Sequence, residues 1–221
     1  MPIPTKPIEA PRLTARERVY IALRDWITDG TLKPGEKISD LEISKYFSVS
    51  RTPVREAMQL LADQKLIEIF PGKESRVTSI DFDKIQQIYQ MLAQLHGLAV
   101  QFAYPKVTSE VITKLDNVNE LYKDSFKELN LEQIRANDKE FHEIFIQLSE
   151  NDFLANFIEM LYTHVLRVEN LYYAAQKDYN ISIHEHVQIV NAIKNQNLAA
   201  AIEAMKFNWI HTAELISQIG E

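Results

Sequence analysis

Apolar positions recur at helical spacing over most of this chain, and the period changes once. From Thr14, a candidate N-cap, Val19, Ile21, Leu23, Trp26 and Ile27 mark an amphipathic helix that ends before Gly30. Lys33-Pro34-Gly35-Glu36 reads as a turn, because proline presets φ and glycine accepts positive φ. A short helix follows from Ser39, with Glu42 three residues on as a capping box, and runs to Phe47. Ser50 caps a third helix with Pro53 in its first turn, where a missing N–H does no harm. After Lys65 the period falls to two. Residues 66–70 and 76–80 are expected strands, joined by the tight link Pro71-Gly72-Lys73-Glu74-Ser75. Three helices followed by a β-hairpin make a winged helix-turn-helix over residues 13–80.

From Asp81 the period is helical almost to the end. Helices are expected at about 81–104, 108–129, 131–149, 152–176, 183–195 and 198–218. Their breaks are Pro105 and the caps Thr108, Asn130 with Gln133, Asn151, Ser182 with Glu185, and Asn197. No alternating strand run interrupts them, so residues 81–221 read as an all-α helical bundle and the fold class as mainly α. Residues 1–12, with Pro2, Pro4, Pro7 and Pro11, read as a disordered arm and not a secretory signal.

Charge divides the chain at the same place. The net charge of −7 hides 13 Lys and Arg against 11 Asp and Glu in residues 1–80, and 11 against 20 in residues 81–221. All six histidines lie in the second part. Opposite sign and different ionisable chemistry imply two domains with two jobs. An apolar content of 46% is too high for a disordered chain. The absence of cysteine excludes disulfides, a thiolate nucleophile and Cys-ligated metal. No run approaches the ~18 apolar residues of a membrane span, so a cytoplasmic location with no membrane partner is expected.

The third helix carries the first candidate chemistry. Arg51 and Arg55 are spaced i, i+4 and share a face near its N-terminus. Two guanidinium forks one turn apart fit the O6 and N7 edges of guanines in a major groove. Ser50, Thr52 and, on the preceding helix, Lys45 are candidate phosphate contacts, and Lys73 and Arg76 flank the hairpin tip as a wing would require. The alternative is a solvated basic face with Arg55 paired to Glu56 or Asp63. Against it, arginines at a helix start oppose the dipole and need another explanation.

In the second part, Asp138 and His142 stand i, i+4 and aim a carboxylate and an imidazole at one point, a common arrangement for a divalent metal. The competing reading is a hydrogen-bonded polar network without an ion. His96 and His164 read as lining or core histidines. Arg167 sits mid-helix between apolar residues, either pointing into a pocket or paired with Glu159 or Glu169. Tyr89, Tyr162, Tyr172 and Tyr173 are candidate pocket walls, although aromatic residues at this spacing also build cores.

The stretch from Thr14 to Ile80, above all Val49-Ser50-Arg51-Thr52-Pro53-Val54-Arg55-Glu56-Ala57, resembles the GntR family of bacterial transcriptional regulators. The helical part is similar to the FCD effector domain of the FadR-like branch. The resemblance implies that Arg51 and Arg55 read operator bases and that Lys37 is a third basic contact. Lysine in place of the usual arginine there keeps a point charge but loses the fork. The wing also departs, with Gly72 early and Glu74-Ser75 at the tip. The resemblance further implies a metal held by Asp138, His142, His186 and a fourth position, which here is Asn208 where the family has histidine. The expected cofactor is a divalent ion of the zinc, nickel or manganese class, although asparagine offers only a neutral carbonyl oxygen, a poor ligand for zinc or nickel and a tolerable one for harder ions with water nearby. His211, three residues on, is the candidate substitute. Leu92 and His96 replace an Arg and a Glu of many relatives, so the effector is either less anionic than a carboxylate or relies on Arg167, with His96, Tyr89 and His164 as further candidate contacts.

The function so implied is a ligand-responsive regulator, a repressor by analogy, binding palindromic double-stranded operator DNA as a homodimer and switched by a small molecule. Two alternatives stand beside it. In one the helical domain only dimerises. In the other Asp138, His142 and His186 form a hydrolytic metal centre, for which the sequence places no further acid or base.

Overall fold

Thr14 begins the first helix by closing both halves of a capping box. Its hydroxyl accepts from the Glu17 N–H, and the Glu17 carboxylate accepts from the Thr14 N–H. The computed structural model describes residues 13–70, 74–127, 130–175 and 180–217. The arm expected at 1–12 lies outside the described residues, as do Gly72 and Lys73. The chain divides between Ser79 and Ile80 into two units, each closed on its own core.

The first unit runs α1 (Ala15–Thr28), β1 (Lys37–Ile38), α2 (Asp40–Tyr46), α3 (Arg51–Asp63), β2 (Ile67–Glu68) and β3 (Ser75–Val77). Val19 and Leu23 of α1 meet Val54, Ala57 and Leu61 of α3 in a core from which all five are withdrawn from solvent. The wing has one strand more than the expected hairpin. β1 pairs antiparallel with β3, Lys37 opposite Arg76, and the sheet order is β1-β3-β2. Two residues are too few to show a strand period, so no local pattern marks β1. Ser39 caps α2 by accepting from the Glu42 N–H, whereas the Ser50 side chain makes no cap bond at α3.

The second unit runs α4 (Phe82–Ala103), a 3-10 turn at Tyr104–Lys106 on Pro105, α5 (Ser109–Lys127), α6 (Leu131–Ser149), α7 (Asp152–Ala175), α8 (Asn180–Lys194) and α9 (Leu198–Ser217). Asn130, Asn151 and Asn197 each accept a first-turn N–H, as their positions imply. One expected cap is corrected. α8 starts at Asn180 and not at Ser182, and Glu185 faces the interior, where Asn208 and His211 of α9 bind its carboxylate. Among the described residues no helix is long and apolar enough to cross a membrane.

α4 packs against α6, α7 and α9. Its crossing with α9 depends on Gly97, where an added Cβ would lie 2.9 Å from Lys206 Cε, 3.2 Å from Lys206 Cγ and 3.4 Å from Ile202 Cγ2. Lysine can swing its tip away, but a branched side chain at 97 must also displace Ile202. Gly97→Leu is therefore expected to cost about 1–3 kcal/mol in urea unfolding of the full chain. An unchanged midpoint would show that the crossing has slack.

Candidate DNA-reading face and candidate metal and effector site

The first turn of α3 projects Arg51 and Arg55 into solvent, with half or more of each side chain exposed. Both reach one carboxylate, Asp40 at the first position of α2. Arg51 Nη2 lies 2.8 and 2.9 Å from its two oxygens, and Arg55 Nε lies 2.7 Å from Oδ2. The hydrogen bond from Arg55, followed by that from Arg51, holds the Asp40 carboxyl below its ordinary range against the opposing effect of burial. The pairing of Arg55 with Glu56 or Asp63 is not the one present, and Asp63 accepts instead from Gln59. Ser50, Thr52 and Lys45 are exposed beside this face. Lys37 pairs with Glu74 at the wing, and Arg76 Nη1 makes a long 3.5 Å contact to the Gly35 carbonyl. Asp40, Arg51, Arg55, Gln59, Phe70 and Glu74 are among the residues lining a groove of about 600 Å³ between α3 and the wing.

In the second unit, α6 supplies Asp138 and His142 and α8 supplies His186, one ligand atom of each lying within 4.8 Å of the others. Asn119 of α5 sets the His186 tautomer. Its amide nitrogen donates to the Ile183 carbonyl at 3.3 Å, so its oxygen faces the ring and accepts from His186 Nδ1 at 3.0 Å. His186 Nε2 is then a lone pair, buried without a hydrogen-bond partner and 3.7 Å from Asp138 Oδ1. Phe141 stacks on the same ring at 3.8 Å and 8°. His142 Nδ1 is also buried and unpartnered. Burial pushes His142 down to about 3 and His186 well below its usual value, leaving both imidazoles neutral, the form that ligates metal.

Burial raises Asp138 to about 7, opposed by a hydrogen bond from Tyr122 and reinforced by Glu185. Asp138, His142, Glu169, Asn208 and Thr212 line a void of about 10 Å³, which is one water or one ion in size. Two unpartnered neutral nitrogens, one carboxylate and this void fit a divalent cation. Asn208 lines the void but commits its amide nitrogen to Glu185 at 2.8 Å, which leaves its oxygen as the available donor atom. His211 bonds Glu185 and is not part of the cluster. Glu169 accepts from the Tyr162 hydroxyl at 3.1 Å, and burial, followed by Asp138, raises it to about 8.

A cavity of about 430 Å³ adjoins this cluster, lined among others by His96, Lys139, His142, Gln147, Tyr162 and Trp209. His96 stacks on Trp209 at 4.4 Å and meets His142 edge-on at 5.1 Å, with neither ring nitrogen hydrogen-bonded. Of the expected effector residues the cavity takes His96. Tyr89 is buried behind it against Trp209, and Arg167 and His164 are not among the lining residues. Tyr162 lines the cavity, while the side chains of Tyr172 and Tyr173 lie outside the described residues. Sequence reasoning missed Lys139, although Lys139, Glu143 and Gln147 repeat at i, i+4, i+8 on α6 as a polar stripe would. It also missed Asn119, whose signal was an amide between Leu115, Val118 and Tyr122 on a buried face.

Because Asp138 must ionise to ligate, protons compete with a metal below its raised pKa, whereas the histidines stay neutral throughout that range. Affinity for Mn²⁺ or Zn²⁺, measured calorimetrically on the full chain, is expected to fall about tenfold per pH unit below about 7. A flat profile between pH 8 and pH 6 would contradict this ligand assignment.

The bacterial regulatory proteins, gntR family, model matches residues 15–77, and the FCD domain model matches residues 87–207, by itself more than half of the chain. The HTH-type transcriptional regulator YdhC of Bacillus subtilis is 30% identical over 206 residues, covering 91% of each chain. The HTH-type transcriptional repressor RspR of Escherichia coli is 24% identical over 216 residues, covering 98% of this chain and 92% of that one. Among solved structures, E. coli McbR/YncC shares the fold with a TM-score of 0.78 at 19% identity, over 95% of this chain and all of that one. The chain belongs to the GntR family as an FCD-domain transcriptional regulator, not an enzyme.

Proposed function

We propose that this regulator is a ligand-responsive repressor that binds a palindromic operator as a homodimer and holds a divalent cation beside a small-molecule site. One observation carries the reading of the helical domain: His142 lines both the ion-sized void and the 430 Å³ cavity. Asp138, His142 and His186 hold the cation, with Asn208 Oδ1 and water as further oxygen donors. When bound, the cation supplies positive charge at the edge of the cavity, which suits a small carboxylate. Lys139 adds a second positive charge there, in place of Arg167. His96, Tyr162 and Trp209 form the wall that recognises the remainder of the molecule.

In the DNA-binding domain, Arg51 and Arg55 read base edges, while Lys37, Lys45, Ser50, Thr52 and Arg76 contact the backbone. Dimerisation is supported by Met91, Leu98 and Phe102, exposed at i, i+7, i+11 along one face of α4. Two copies double the contacts a single recognition helix can make. The effector acts by binding one arrangement of the dimer better than another. Action on bacterial DNA supports a cytoplasmic location.

Arg51→Ala and Arg55→Ala are each expected to weaken binding to a genomic fragment enriched by the wild type, by ~1–3 kcal/mol per lost base contact. Unchanged affinity in both, measured by fluorescence anisotropy, would refute the recognition face. The helical domain is tested by metal analysis of the full chain. One divalent ion per chain is expected in the wild type and none in His142→Ala. Retained stoichiometry would refute the ligand set, and no uptake by the wild type would make the cluster a structural network.

A further inference from the structure

The two arginines at the start of α3 share one carboxylate in an uneven way. Arg51 engages Asp40 through Nη2 alone, and Arg55 engages it through Nε alone. Both terminal nitrogens of Arg55, the fork that matches O6 and N7 of a guanine, remain uncommitted, as does Nη1 of Arg51. Asp40 therefore grips Arg55 without occupying its reading edge, and takes up one of the two terminal nitrogens of Arg51. The grip has a firm seat, since Asp40 is the first residue of α2, where the helix dipole favours a negative charge. Its side chain is only 20% exposed, against 66% for Arg55. The Lys37–Glu74 pair at the wing is more than half exposed on both sides, so solvent screens it and it holds nothing comparably.

We propose that Asp40 is a positioning residue that sets sequence discrimination, by fixing both base-reading guanidiniums before DNA arrives and by cancelling part of the charge that would draw α3 onto any phosphate. This rests on the reading of Arg51 and Arg55 as base readers. A free arginine loses rotamer freedom on docking, and one already held in place loses less. That gain falls on the correct sequence, where the held orientation matches the base edges. The charge effect acts the other way on random DNA, because attraction to phosphate is independent of sequence. Two arginines and one aspartate present a net single positive charge, while the arginines alone would present two.

The test uses the full-length protein, a duplex enriched by the wild type from a random-sequence library, and a scrambled duplex at the same fixed salt. Asp40→Asn is expected to weaken binding to the enriched duplex and to keep or strengthen binding to the scrambled one, so that the ratio of affinities falls about tenfold or more. Asp40→Glu keeps the charge and displaces it by one methylene, and is expected to lower the ratio less. Partial unfolding would lower both affinities together and leave the ratio alone, so the ratio reads positioning and not fold stability. An unchanged ratio in both variants overturns the proposal. A parallel rise on both duplexes in Asp40→Asn also overturns it, since Asp40 would then merely compete with DNA for the arginines. If Arg51→Ala and Arg55→Ala leave the ratio unchanged, the base-reading assignment fails, and the role of Asp40 fails with it.

Discussion

Burying a polar atom without a hydrogen-bond partner costs about 1–3 kcal/mol, and the helical domain does this repeatedly in one place. Both ring nitrogens of His96, Nδ1 of His142, Nε2 of His186 and Nε1 of Trp209 are buried and unpartnered. They are not scattered. Trp209 stacks on His96, His96 meets His142, His142 meets His186, and His186 stacks on Phe141. The rings come from α4, α6, α8 and α9, so one polar column joins four helices of the bundle. Under the proposed function, a cation and an effector that satisfy these atoms stabilise one arrangement of the four helices over others. That differential stabilisation is what a ligand switch requires.

The DNA-binding domain meets a different constraint with similar means. A chain of net charge −7 must approach a polyanion, and under the proposed function it does so through the local charge on one face. Arginines in the first turn of α3 oppose that helix's dipole, and Asp40 at the start of α2 offsets the conflict. In each domain a side-chain carbonyl or carboxylate orients the group to which the proposed function assigns recognition. Asn119 fixes which nitrogen of His186 is a lone pair, and Asp40 fixes how Arg51 and Arg55 are presented.

Helix positions were legible because their signals are local. Apolar spacing and caps such as Thr14, Asn130 and Asn197 placed most ends within a few residues. Asp138 and His142 were legible for the same reason, since i, i+4 spacing is a statement about one helix. What escaped the sequence lies across elements. β1 is two residues long and exists through its pairing with β3. Glu185 matched a capping spacing with Ser182, yet it serves Asn208 and His211 on α9. The partner of Arg51 and Arg55 lies 11 and 15 residues upstream, beyond any helical period, and no local pattern distinguishes Asp40 from a first-turn acid placed to suit its helix dipole.

Crystals of the full-length protein soaked in Mn²⁺ test the central claim most directly, through anomalous X-ray scattering in the helical domain. A single strong peak bounded by the Asp138 carboxylate and the His142 and His186 rings, at the edge of the cavity floored by Trp209, is the predicted result. An ordered water bridging the same three side chains, with no anomalous signal, would contradict it and leave the column as a hydrogen-bonded core.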